Sequence, residues 1–155
     1  MPEKARRTTA GTVLAFDFGL QRIGVAVGEP ELGTVHPLPG IAARTLPERL
    51  TAVERLVKEW QPSMLVVGRP LGEDGAPHEM TRRAERFARR LNGRFRLPVK
   101  LVDERYSSAE AESRVRAAHG GRKAASLARG KALDSHAAQV ILEQYLSNPS
   151  EDRAA

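Results

Sequence analysis

Ser63–Gly68 (SMLVVG) restricts the fold more than any other segment: it is uncharged, of strand length, and has no polar alternation to give it a wet face. Strands of this kind are covered on both faces, as in a parallel sheet whose crossovers are helices. Thr12–Phe18 (TVLAFDF) is a second apolar run, and Ile23–Gly28 (IGVAVG) returns beside it across a turn at Gly19–Arg22. Val35–Ala43 carries Pro37 and Pro39, which suits an edge strand. Val99–Glu104 is the last strand.

The helices between them are signposted. Thr45 and Glu48 form a capping-box pair and Pro47 suits a first turn. Leu46, Leu50, Val53, Val57 and Trp60 then share one face up to Pro62. His78–Asn92 places Met80, Ala84, Phe87 and Leu91 on one side, with Gly93 as its expected stop. Ser107 with Glu110 caps a helix to about residue 118. Lys131–Leu146 carries Leu133, Ala137, Ile141 and Tyr145 at helical spacing. The order βββ-α-β-α-β-α-α predicts an α/β fold: a three-strand antiparallel meander plus two parallel strands in one mixed five-stranded sheet, flanked by helices. One domain over 12–146 is expected, between flexible tails 1–11 and 147–155. A chain of 155 residues suffices for a single core. Sites in such sheets lie outside the carboxyl ends of the parallel strands.

Composition narrows the chemistry. The sequence has no cysteine, which excludes disulfide frameworks, thiolate metal sites and thiol nucleophiles. It shows neither a secretory leader nor a run long enough to span a membrane, so a cytoplasmic protein is expected. The net charge is +6 and the basic residues are mostly arginine, which suits a polyanionic partner.

Aspartate is scarce, and three of the five sit where charge is costly. Asp17 interrupts the first apolar strand, and Asp103 with Glu104 ends the run VKLV. Asp134 precedes Ala137, Ala138, Ile141 and Tyr145 on the buried face of the last helix. An isolated carboxylate in such surroundings costs several kcal/mol or takes up a proton. Single acids could pair with Arg22, Arg105 or Lys131. For several together, a divalent cation relieves the repulsion directly, and carboxylate oxygens suit Mg²⁺. Strand alternation lets only one of Asp103 and Glu104 face the site. The longer Glu104 is preferred, with Asp103 capping the next segment, pairing with an arginine or serving as an additional acid.

Four segments, DFGLQRIGVAV (17–27), VVGRPLGEDG (66–75), VDERYSSAEAE (102–112) and KALDSHAAQVILEQYL (131–146), together resemble the YqgF/RuvX family of ribonuclease H-like nucleases. The resemblance implies a ribonuclease H-like fold and a Mg²⁺- or Mn²⁺-dependent nuclease of 5′-end maturation of pre-16S ribosomal RNA, in a family first proposed as Holliday junction resolvases. Carried over by motif, Asp17, Glu104 and Asp134 are the metal-binding catalytic acids. Arg22 and Lys131 become phosphate or carboxylate contacts. The chain departs from the family pattern at Arg69, which either adds a phosphate contact or faces solvent. It departs again at His136, expected to be exposed on the side away from Asp134.

Around this centre the loop Gly120–Lys131 gathers Arg122, Lys123, Arg129 and Lys131 beside the helix bearing Asp134, as expected of a nucleic-acid contact. Arg82, Arg86, Arg89 and Arg90 fall on one side of the second helix and read as a solvated face. Few aromatic residues are available for stacking, so recognition through backbone and shape is expected. The expected partner is precursor ribosomal RNA, with a structured or branched DNA as the alternative, bound by a monomer or a homodimer. A non-catalytic RNA-binding module is the reading from another class, and the buried acids argue against it.

Overall fold

The computed structural model describes residues 11–70, 78–103, 132–147 and 153–154, with the backbone alone for 132–135 and 153–154. Its strands are β1 (Val13–Asp17), β2 (Ile23–Glu29), β3 (Thr34–Ile41), β4 (Met64–Arg69), β5 (Val99–Asp103) and β6 (Arg153–Ala154). Its helices are α1 (Leu46–Trp60), α2 (Glu79–Phe95) and α3 (Ala132–Ser147). The sheet order is β3-β2-β1-β4-β5-β6. β1 is antiparallel to β2 and parallel to β4, and β4 is parallel to β5, so the expected meander and two crossovers are present. The proline-bearing β3 lies at the edge, where its missing donors cost nothing. A sixth strand of two residues, outside the five expected, pairs antiparallel with β5.

Alternation along the strands divides the core into two layers. Leu14, Phe16, Val25, Leu65, Val67 and Leu101 pack with Val53 of α1 and with Ala84, Phe87 and Leu91 of α2. On the opposite face Val13, Ala15, Ala26, Val66 and Val102 pack with Ala138, Ile141 and Leu142 of α3. β4 is buried almost throughout, as its unbroken apolar sequence requires. Gly28 lets α3 settle: a Cβ there would lie 2.8 Å from Leu142 Cδ2.

α1 begins as its sequence predicts. Thr45 Oγ1 accepts from the Glu48 amide at 3.4 Å and donates to the Glu48 carboxylate at 3.0 Å. For α2 the expected stop at Gly93 is corrected. The helix runs three residues further, to Phe95, and is capped by Arg96 in the left-handed region at φ 56. The Arg96 amide donates to the Asn92 carbonyl and Asn92 Nδ2 to the Leu97 carbonyl, while Phe95 keeps its seat on the core. Those contacts hold the chain past Gly93, where an added Cβ would meet nothing within 4 Å.

Candidate active site at the carboxyl ends of the parallel strands

Asp17 closes β1 and is half-buried. By alternation it shares the face of Val13 and Ala15, the one that α3 covers. Its two cross-strand neighbours are Gly24 on β2 and Gly68 on β4. Neither carries a side chain, so no cross-strand side chain flanks this carboxylate, which is itself engaged by a partner. The turn beyond it also depends on glycine, since a Cβ on Gly19 would come within 2.6 Å of the Arg22 carbonyl oxygen.

That turn is clamped from α1. Arg49 is buried, and its Nη2 donates to the carbonyls of Gly19 and Leu20 at 2.6 and 2.8 Å. Nε donates to the Ala43 carbonyl, and the guanidinium lies 5.1 Å from the centre of the Phe18 ring. Burial without a carboxylate partner lowers the Arg49 pKa. Phe18 in turn packs on Phe87 at 5.4 Å, so the segment after Asp17 is fastened to α1 and α2 together. Sequence reading missed Arg49. Its signal was position, three residues after Leu46 and four before Val53, on the apolar face of α1.

Asp103 lies at the end of β5 on the opposite face from Asp17, in line with Val99 and Leu101. Its Oδ1 accepts from Arg69 Nε at 2.9 Å, and Arg69 Nη1 donates to Glu85 Oε2 of α2 at 2.8 Å. Asp103 thus has the arginine partner that was one of its expected fates. For Arg69 the outcome is a correction: it is only 7% exposed, it does not face solvent, and two carboxylates hold its donors rather than a phosphate. Burial pulls its pKa down, but the hydrogen bonds to Asp103 and Glu85 outweigh that and leave it raised. The cause is register. Arg69 is directly opposite Asp103, and both point toward α2.

Position 134 lies on α3 one turn before Ala138, which packs in the same layer as Ala15 and Ala26. Gln144 of α3 also donates to the Asp103 carbonyl at 3.1 Å, tying the helix to the end of β5. The Asp134 side chain lies outside the described residues, as do Glu104, Arg122, Lys123, Arg129 and Lys131. The helix expected from Ser107 and the basic loop after it lie outside them too. Arg22, in the turn after Asp17, is half-buried and already engaged. His136 is half-buried rather than exposed, because α3 buries Ala137 and Val140 beside its main stripe and so covers more than a narrow face. Among the described residues no three acidic or histidine side chains converge. No described helix is long and apolar enough to cross a membrane.

The mixed sheet, with its meander, its two parallel crossovers and its flanking helices, is a ribonuclease H-like fold. A Thermus thermophilus RuvC, solved with a Holliday junction substrate, shares the fold with a TM-score of 0.56 and 14% identity, over 94% of this chain and 99% of that one. The family profile "RuvX: Holliday junction resolvase" matches residues 11–148, and the chain belongs to that family. Relatives in Paraburkholderia phytofirmans and Methylobacillus flagellatus are 50% and 51% identical, over 91% and 94% of this chain and 91% and 96% of theirs. Both bear the name "Putative pre-16S rRNA nuclease".

Proposed function

We propose that the chain is a Mg²⁺- or Mn²⁺-dependent nuclease that hydrolyses phosphodiester bonds in 5′-end maturation of pre-16S ribosomal RNA, with Asp17, Glu104 and Asp134 as its catalytic acids. The observation that carries this reading is Asp17 itself: a carboxylate at the carboxyl end of a central strand, with a glycine on each side. A core position without chemistry would carry an apolar residue there. The donor set fits a hard cation, since carboxylate oxygens suit Mg²⁺ or Mn²⁺ and the chain has no thiolate to offer a softer ion. Bound ions there would activate water and stabilise both oxygens of an in-line displacement.

The residues of this chain divide the remaining work. Asp17 supplies oxygens from the sheet, Asp134 from α3 and Glu104 from beyond β5. The Arg69–Asp103 pair supports Glu104 over Asp103, because it turns Asp103 toward α2 and neutralises it. Arg49 positions Asp17 by holding the two carbonyls of the following turn. Arg22, Arg122, Lys123, Arg129 and Lys131 are the basic side chains assigned to the substrate backbone, and their contribution weakens with salt. A cytoplasmic location follows from the ribosomal substrate.

The test is cleavage by the purified protein with Mg²⁺ or Mn²⁺, comparing a pre-16S 5′ leader, single strands and four-way DNA junctions. Preferential cutting of the leader supports the reading. Preferential, paired cutting of junctions would replace it with a resolvase, the alternative that the family description favours.

A further inference from the structure

On the face of the sheet away from α3, the turn after Asp17 forms one wall of a cleft between α1 and α2. Phe18, Leu20, Leu46 and Phe87 give it an apolar floor, and Arg44, Arg49, Arg83, Arg86 and Arg90 surround that floor. No carboxylate is among these lining residues. Arg83 is held by Glu79 at 3.1 Å, but Arg44, Arg86 and Arg90 are exposed and make no ion pair or hydrogen bond with a described residue. Arg49 at the base is buried and bonded only to carbonyls, so its charge is uncompensated. Leu20 is 53% exposed above the floor, one of two large apolar side chains left so open among the described residues. The volume is about 190 Å³, against roughly 15 Å³ for one water.

Four uncompensated cations around an apolar, partly aromatic floor call for a ligand that is anionic at its edge and flat and apolar in its body. We propose that the cleft holds a nucleotide unit of a single-stranded stretch of the substrate, its base against Leu20 and Phe18 and its phosphates on Arg44, Arg86 and Arg90. The inference rests on the nuclease reading for why a strand would be there: Phe18 and Leu20 follow Asp17 directly, so a strand leaving the acids over the end of β1 meets this cleft next. The α2 arginines Arg82, Arg86, Arg89 and Arg90 are exposed, as their spacing predicts, and two of them have a further use. Arg86 and Arg90, with Arg83, turn toward α1 and share one cavity.

The experiment measures binding of a fluorescent oligouridylate in EDTA, where no hydrolysis occurs, across a salt series. Arg44→Ala/Arg86→Ala/Arg90→Ala should weaken binding at least ten-fold and reduce the log–log salt slope by about 1.4, the two phosphates that flank one nucleotide unit losing their contacts. Leu20→Ser should weaken oligouridylate binding several-fold, through loss of apolar area against the base, and leave inorganic polyphosphate binding unchanged. All four positions are exposed, so unaltered thermal melts are expected. Parental affinity in the triple variant overturns the proposal. So does an equal effect of Leu20→Ser on polyphosphate, which would make the cleft a plain anion patch. Saturation by uridine monophosphate that oligouridylate cannot displace would mark a free-nucleotide site and overturn it too, as would binding of polyglutamate in preference to oligouridylate. A parent that cuts nothing with Mn²⁺ while these binding differences hold would remove the nuclease reading and leave the cleft. A parent that cuts, with cleft variants that bind and cut equally well, would do the reverse.

Discussion

Arg69 is where the sequence and the structure make opposite claims, and Arg69→Met separates them. In the structure its guanidinium joins the end of β4 to Asp103 of β5 and Glu85 of α2. Methionine preserves most of the stem and removes both charge-assisted hydrogen bonds. Each such bond contributes about 1.5–3 kcal/mol when protected from water. The carboxylate side chains are 28% and 49% exposed, so solvent screens part of this, and their repulsion after the change is partly relieved by water. The net loss expected is about 2–3 kcal/mol, short of the roughly 3–5 kcal/mol for breaking a fully buried pair. For a domain of this size that lowers Tm by about 4–12 °C. The assay is urea denaturation of the parent, Arg69→Met, Glu85→Gln and the double variant, with oligouridylate affinity measured alongside. The double-variant cycle should return a coupling of about 1–2 kcal/mol, and RNA affinity and its salt slope should match the parent. Parental stability combined with weakened RNA binding would refute the reasoning and return Arg69 to the phosphate contacts.

Other expectations follow from the same geometry. Gly28→Ala should cost about 1–3 kcal/mol by overpacking against Leu142, and adding Leu142→Ala should cost less than it does in the parent, as denaturation curves would show. Arg49→Met should release the Gly19 and Leu20 carbonyls; the expected readout is a hydrolysis rate that falls more than metal affinity does, with no change in the cleft's salt slope beyond one contact. The hydrogen bonds from Lys58 and Arg94 hold the Glu54 carboxyl below the ordinary range. Its contribution is therefore complete above the unfolded pKa, near 4.3, and disappears as pH falls through the lower folded value. Glu54→Gln should lower stability slightly at neutral pH, where the carboxylate's contribution is complete, and flatten the stability–pH curve below about pH 4.5, so that the variant and the parent converge in acid.

What could be read without coordinates followed from periodicity. The unbroken apolar run of β4 announced a strand covered on both faces, and the prolines of β3 announced an edge. Asp17 was visible as a charge inside a hydrophobic strand. Side-chain partners were not visible in the same way. Arg69 is a single basic residue after a strand, and nothing local says that Asp103 lies opposite it in register or that Glu85 reaches down from α2. Arg49 looks like one arginine among many until the carbonyls of the Asp17 turn are placed above it. The stop of α2 was misplaced because a glycine ends a helix only where packing does not carry the chain past it, and Phe95 does.

The central claim, that Asp17, Glu104 and Asp134 jointly hold divalent ions, is tested most directly by titrating Mn²⁺ into the parent and into Asp17→Asn, reading free Mn²⁺ by its electron paramagnetic resonance signal. The parent should deplete the free signal, and the variant, folded and still binding RNA, should lose most of that uptake together with hydrolysis. An Asp17→Asn protein that takes up Mn²⁺ and cuts RNA as the parent does would contradict the account.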